Sequence, residues 1–273
     1  MSRTYKNIAK LGYKNEEDFV KRLNRDKKDI LWSHFQFKNN EDLYFVRVTN
    51  KVPWKPAKTT SITLKKTIPK TDVFLVKVKI DRNKLILNDF YLNEKDLENY
   101  QFLVINGSGI SIKLNQSNCQ WDKCSLDKFY YRFESYELFA GMSLYTKDNK
   151  FKINHKIVQS CKTNWKKMAN YFEEFKNHLE NLDNKKILDE KDQIIFKKIQ
   201  LFSKNKIYEL TKKNQIILDS IFSGKNEFEE PYCANWFYYN NKLTNKYPEK
   251  FIVTNGSGRS KGKPLISFKS QTL

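Results

Sequence analysis

The apolar positions of this chain change period as it runs, and each change predicts an element. Phe19, Val20 and Leu23 follow Asn15 at helical spacing, which predicts a helix over 15–24 capped by Asn15. Alternating or continuous apolar runs then predict strands over 43–49, 59–64, 72–80 and 84–91. Residues 101–114 read as a hairpin-like stretch turned by Asn106-Gly107-Ser108-Gly109. From residue 118 the pattern becomes helical. Trp165, Met168, Ala169, Phe172, Phe175, Leu179 and Leu182 form one stripe, and Ile207, Leu210, Ile217 and Ile221 form another before Gly224 stops it. Strand character returns at 232–239, 251–254 and 265–268, between Asn- and Gly-rich turns. The sum is an α/β chain: a central mixed β-sheet flanked by helices, then a helical and β-hairpin C-terminal half. No repeat, low-complexity block or Pro/Gly-rich linker divides it, so one unit over 1–273 is expected.

Composition narrows the class. With 39% hydrophobic and 15% aromatic residues among 273, the chain can bury a core. No apolar run approaches the ~18 residues that span a bilayer, and the opening Met1-Ser2-Arg3-Thr4-Tyr5-Lys6 lacks the apolar stretch of a secretory signal. A soluble cytoplasmic protein with no membrane partner is expected. Cys119, Cys124, Cys161 and Cys233 are too scattered for a disulfide framework, and His34, His155 and His178 lie at no zinc-finger spacing from them. The net charge of +20 points to a polyanion, since each cation set against a phosphate releases a counterion. Of the 51 basic residues only seven are Arg, in a chain rich in Lys and Asn, so part of that charge reflects residue usage.

Chemistry concentrates in two apolar runs. Asp72 leads one, and Ser111-Ile112-Lys113 stands in the other. An acid on one strand and a lysine on the next supply what a metal-dependent phosphodiesterase needs, a carboxylate for a divalent cation and an ammonium to orient water. Each residue also has a plain reading, a strand-edge acid and a solvent-facing lysine. Glu16 precedes Phe19, Val20 and Leu23 by three, four and seven, so its carboxylate lies along the apolar face. An acid there needs a cation, a metal or a rim position near water, or else complements the helix dipole.

The order Gly12-Tyr13-Lys14-Asn15-Glu16, Lys70-Thr71-Asp72-Val73, Gly109-Ile110-Ser111-Ile112-Lys113-Leu114 and Gln120-Trp121-Asp122-Lys123 resembles the Type II restriction endonucleases of the PD-(D/E)XK superfamily. The resemblance is greatest to the small enzymes that cut four-base palindromes. It continues in islands through residues 217–224, Asn235-Trp236, and Gly258-Arg259-Ser260-Lys261-Gly262-Lys263. It implies a restriction-endonuclease-like core over about 10–145, with a helical and DNA-recognition part over about 146–273. It further implies Mg²⁺-dependent cleavage of double-stranded DNA at a short palindrome, leaving 5′-phosphate ends, by a monomer or homodimer. Asp72 would be the shared metal ligand and Lys113 the residue that positions or deprotonates water. Ser111 stands where the family has an acid or Gln, so Glu16 would supply the second carboxylate and the Ile112 carbonyl another oxygen. The long separation between Asp72 and Lys113 implies an inserted hairpin and short helix between residues 84 and 100.

Sequence discrimination needs hydrogen-bonding forks at base edges. The candidates are Asn115, Gln116, Gln120 and Lys123, and the turn carrying Asn255, Ser257, Arg259, Lys261 and Lys263. That turn also reads as a phosphate clamp with no base readout. The two Asn-Gly-Ser-Gly tetrads match neither phosphate-loop pattern and read as tight turns, and alternate members of Trp236-Phe237-Tyr238-Tyr239 read as core. Two alternatives stand beside the restriction enzyme: a nicking or junction-resolving nuclease of the same fold, and a non-catalytic basic DNA-binding protein.

Overall fold

The computed structural model describes residues 5–56, 66–113, 119–145, 158–182, 184–185, 188–255 and 264–270. In chain order the strands are β1 (Leu43–Arg47), β2 (Val52–Pro53), β3 (Lys66–Thr67), β4 (Val73–Val78), β5 (Phe102–Val104), β6 (Ile110–Ile112), β7 (Gln120–Cys124), β8 (Trp236–Tyr239), β9 (Lys242–Thr244), β10 (Phe251–Asn255) and β11 (Ile266–Ser270). The helices are α1 (Tyr5–Arg25), α2 (Arg82–Leu87), α3 (Leu126–Phe133), α4 (Tyr136–Leu144), α5 (Trp165–Tyr171), α6 (Lys176–Glu180), α7 (Glu190–Lys213) and α8 (Gln215–Phe222). They fall into two compact units, residues 1–119 with 222–249, and residues 120–221 with 250–273. The chain passes between these units three times, after residues 119, 221 and 249, and no linker composition marks the crossings; the sequence reading expects one unit over 1–273, with parts meeting near residue 146.

The first unit is an α/β layer structure on a mixed sheet of order β1-β4-β6-β8-β9, with β5 also on β4. All its pairings are antiparallel except β6 with β8, which is parallel. β4 explains itself from sequence: Val73 and Leu75 pack with Phe19, Val20, Leu23, Leu31 and Trp32. Its alternate residues Phe74, Val76 and Val78 pack on the other face with Leu85, Leu92 and Leu97. A strand covered on both faces reads as a continuous apolar run rather than an alternating one. The β8–β9 hairpin turns on Asn240 and Asn241, both left-handed (φ 51° and 58°), the geometry of a type I′ turn for which Asn is suited.

Several predicted elements differ in the structure. α1 begins at Tyr5, and Asn15 sits inside it rather than capping it. Gly12, which costs a helix about 1 kcal/mol, is its one weak position before Asn15, and α1 runs through it. The run at 84–91 is no strand: it starts inside helix α2, which ends at Leu87, and goes on as a turn, because the Asp81 carboxylate accepts from Asn83 N and caps the helix; Leu85 alone of the α2 apolar residues is buried. The described part of the expected hairpin, residues 101–113, forms none. β5 and β6 lie along the same edge of β4, β5 against Val76–Val78 and β6 against Val73, with a turn at left-handed Gly107 (φ 74°) between them. The inserted segment between residues 84 and 100 carries the short helix and a 3-10 turn, Glu94–Leu97, without a hairpin. The helical pattern expected from 118 is preceded by strand β7. The run at 59–64 lies outside the described residues.

The second unit has a three-stranded antiparallel sheet, β10-β11-β7, and helices. α4 is buried along its length from Leu138 to Leu144. A Cβ on Gly141 would lie 2.2 Å from Ser203 Oγ, so this glycine lets α4 and α7 approach closely. The stripe from Trp165 to Leu182 is buried throughout, as predicted, but Phe172 (φ −107°, ψ 64°) breaks it into α5 and α6. Asp122 on β7 pairs with Arg132 on α3, and both are buried. All four cysteines are buried and free. Among the described residues no helix is long and apolar enough to cross a membrane.

β1 is the edge of the first unit's sheet, and an asparagine closes that edge. Asn24 of α1 is 2% exposed; it accepts from Phe45 N at 2.8 Å and donates to Phe45 O at 2.9 Å and Phe90 O at 3.1 Å. The amide thus takes the place of another strand and pins α1 to β1. Asn24→Ala leaves the Phe45 N–H and C=O buried and unpaired, a loss of about 3 kcal/mol in urea unfolding. A loss below about 0.5 kcal/mol contradicts this role for Asn24.

Candidate active site

Every predicted site residue of the first half that bears on catalysis comes together at one end of the first unit's sheet. Asp72 immediately precedes β4, and its backbone N–H donates to Ile110 O at 2.8 Å. β4 and β6 pair at Val73↔Ile110. The following Ile112 N–H finds the Asp72 carboxylate instead, donating to Oδ2 at 2.6 Å. The Ser111 hydroxyl donates to the same oxygen at 3.2 Å. A carboxylate therefore stands where the ladder would otherwise continue, held by a backbone amide and a hydroxyl. In an extended strand the N–H and C=O of one residue point to the same side, so the Ile112 carbonyl is directed toward Asp72 as well.

β6 is set in place by Gly109. Its carbonyl accepts from Asn235 N at 2.8 Å and Trp236 N at 2.9 Å, drawing β8 alongside. A Cβ there would lie 2.2 Å from Cys233 O and 2.7 Å from Thr71 Oγ1, closer than atoms approach. Only glycine lets the strand start this near its neighbours. At the other end Lys113 N donates to Tyr238 O at 2.9 Å, and the Lys113 ammonium reaches to 3.8 Å from Asp72 Oδ2. Ser111 and Lys113, two residues apart, share a face of the strand.

Glu16 arrives from α1. It lies two helical turns, about 12 Å, before the Asn24 anchor. Its Oε2 accepts from Arg47 Nε at 2.8 Å, with the two side chains only 16% and 15% exposed. Arg47 closes β1 and pairs with Val73, which places Glu16 beside Asp72. Burial above all, then the Asp72 charge, pushes the Glu16 carboxyl from 4.5 to about 7, against the opposing pull of Arg47 and Lys113. The inward-facing acid read from helical spacing is therefore present, with Arg47 as its counter-ion.

Arg47 was not singled out by the sequence reading, although a signal exists. Strand alternation puts it on the face of Leu43 and Phe45, which is the core face, and a charge on a core face needs a partner. Its Nη1 donates to the Tyr91 hydroxyl at 3.3 Å, and its guanidinium lies 4.9 Å from the Tyr13 ring centre.

The expected DNA-reading residues fare differently. Asn115, Gln116, Ser257, Arg259, Lys261 and Lys263 lie outside the described residues. Gln120, Lys123 and Asn255 belong to the second unit. There Gln120 Nε2 donates to Asp122 O at 3.2 Å and Ser267 Oγ at 3.4 Å, and Asn255 Nδ2 donates to Tyr145 O at 3.2 Å. Lys123 is exposed. Asn255 and Gln120 stand at opposite ends of the three-stranded ladder, since Asn255 is opposite Ile266, Ile266 opposite Cys124, and Gln120 opposite Lys269. Phe237 is buried core, and Trp236 and Tyr238 also pack against the core around Phe45, so more of the run packs than the alternate members expected. The turn at 106–109 is tied down by Ser108 Oγ, which accepts from Leu75 N at 2.9 Å.

Among the described residues no three of His, Cys, Asp and Glu group as a metal site. Two carboxylates meet here, and among the described residues their other oxygens take no hydrogen bond: Asp72 is bonded through Oδ2 and Glu16 through Oε2. Two carboxylates with a backbone carbonyl suit a hard divalent cation that keeps several waters.

The Glu16 shift has a stability consequence of definite sign. The folded carboxyl titrates near 7 and an unfolded glutamate near 4.5, so folding favours the neutral acid; that contribution is complete below 4.5 and is lost as pH rises through 7. In metal-free buffer Glu16→Gln therefore matches the native chain at about pH 5 and exceeds it at about pH 8, by about 3 kcal/mol in urea unfolding. Parallel pH profiles for the two proteins contradict the burial of this acid. Neither the models of known protein families nor the curated proteins give a match to this chain.

Proposed function

We propose that the chain is a nuclease that hydrolyses phosphodiester bonds of double-stranded DNA with Mg²⁺, a Type II restriction endonuclease with a restriction-endonuclease-like core. The single observation that carries this reading is the Lys113 ammonium 3.8 Å from an Asp72 carboxylate that Ser111 and Ile112 hold in place, with a second acid, Glu16, beside it. Two acids and a lysine separated by tens of residues in sequence converge at one end of the sheet. The net charge of +20 agrees with a polyanionic substrate.

The proposed chemistry divides among the residues by type. Asp72 Oδ1, Glu16 Oε1 and the Ile112 carbonyl would hold the cation. Bound there, Mg²⁺ supplies a Lewis acid that offsets charge developing at phosphorus and eases ionisation of the attacking water. Lys113 donates a hydrogen bond that aligns the water and leaves positive charge beside the oxygens on which negative charge grows. Ser111, in this reading, orients Asp72 rather than ligating, because its hydroxyl already points at Oδ2. Product release with a 5′-phosphate end, and a short palindromic site, are what the family resemblance adds.

The test uses a long duplex of known sequence with Mg²⁺ or EDTA. The native chain cuts it into discrete fragments only with Mg²⁺. Asp72→Ala and Lys113→Ala cut at least about a hundredfold more slowly while still retarding the duplex in a gel. Ser111→Glu, adding a carboxylate against Asp72, retains or gains Mg²⁺-dependent cutting. Undiminished cleavage by Asp72→Ala overturns the site. Nicks alone favour the nicking or junction-resolving alternative, and binding without cutting favours the non-catalytic one.

A further inference from the structure

Arg47 carries more hydrogen-bonding capacity than the fold uses. Of the five N–H bonds of a guanidinium, one on Nε goes to Glu16 and one on Nη1 goes to the Tyr91 hydroxyl. The other three, both on Nη2 included, make no hydrogen bond among the described residues. No Arg47 nitrogen is among the buried polar atoms left unpaired, so these donors open on accessible space, where a ligand can meet them. The position of Arg47 is fixed from every side. The backbone N–H donates to Leu92 O at 2.9 Å, the residue pairs with Val73 next to Asp72, and the guanidinium lies against the Tyr13 ring. Tyr13 itself is 56% exposed, one turn of α1 before Glu16, so an aromatic face and an arginine share the rim of the candidate site.

Charge balance bears on what would fill that place. With both acids ionised, as cation binding requires, Asp72 and Glu16 offset Lys113 and Arg47. A divalent cation at the two acids then leaves an excess matching two phosphates rather than one. One is the phosphate that Lys113 and the acids address. The second falls to Arg47, one rung of the ladder away, whose planar fork suits a phosphate better than a lysine's point charge does.

We propose that Arg47, backed by Tyr13, is a binding subsite for a backbone phosphate next to the one that is cut, with Tyr13 contacting the adjoining nucleotide. This rests on the nuclease reading. Arg47 keeps its Glu16 and Tyr91 bonds and meets the phosphate through Nη2. It anchors the strand without touching the reacting atoms.

The experiment measures binding of a labelled duplex by anisotropy in EDTA across a salt series, beside cleavage in Mg²⁺. Arg47→Gln, which can still donate to Glu16, binds about tenfold more weakly and lowers the slope of log affinity against log salt by about 0.9, the loss of one phosphate contact. Arg47→Lys keeps the charge and restores the slope. Tyr13→Ala, at an exposed helix position, weakens binding about threefold with the slope unchanged. If Arg47→Gln lowers the melting temperature but leaves affinity and slope as they were, Arg47 is only the counter-ion of Glu16 and the subsite is refuted. Should Arg47→Gln fail to fold, full duplex affinity in Tyr13→Ala refutes it. A native chain that neither binds nor cuts duplex DNA refutes the nuclease reading, and the subsite with it; native cutting with an unchanged Arg47→Gln slope refutes the subsite alone.

Discussion

The Asp72 carboxylate accepting the Ile112 N–H at 2.6 Å is the contact on which the candidate site depends. Backbone amides inside a sheet must be paired, and ordinarily the next strand pairs them. Here a side chain does so. The substitution ends the β4–β6 ladder after Val73↔Ile110 and fixes a charged group at the end of the sheet, with one oxygen turned to the protein. Ser111 adds a second bond to that oxygen, and Lys113, two residues on, brings its ammonium to the same point. One carboxylate thus aligns three consecutive residues of another strand.

The supports of this arrangement are distributed along the chain. Gly109 admits β8 against β6 by lacking a Cβ, and so fixes where Ser111 and Lys113 fall. Asn24 binds α1 to the free edge of β1 and so sets where Glu16 falls. Arg47 links the two, by its backbone in β1 and its side chain on Glu16. The raised titration of Glu16 records the outcome: an acid held in a covered place beside another acid, costly for a fold that needed only a core. Strongly shifted groups beside a specific charge partner mark candidate sites of chemistry.

What was legible in the sequence follows from the range over which each signal acts. Helical spacing around Phe19, Val20 and Leu23 showed that Glu16 faces inward, because three residues on one helix fix a face. The apolar run after Asp72 predicts a strand, but its cover on both faces depends on Leu23 and Trp32 on one side and Leu85 and Leu97 on the other, which only the structure brings there. Arg47 as partner of Glu16, and Asn24 as edge cap, depend on contacts across 31 and 21 residues, and no local pattern carries those. The strand expected at 84–91 gave way to the end of α2 and a turn because Asp81 caps the helix, a one-residue signal that outweighed three adjacent apolar positions. The hairpin expected at 101–114 failed for a tertiary reason: β4 offers one edge to both segments, so they align along it instead of with each other.

The central claim is that these few side chains at the end of one sheet cut DNA with a divalent cation. Run-off sequencing of the ends left after incubating native protein with a fully sequenced phage DNA, in Mg²⁺ and in EDTA, tests it most directly. The account predicts breaks at one short recurring sequence, bearing 5′-phosphates, in Mg²⁺ only. Intact DNA in Mg²⁺, or identical breakage in EDTA, contradicts it.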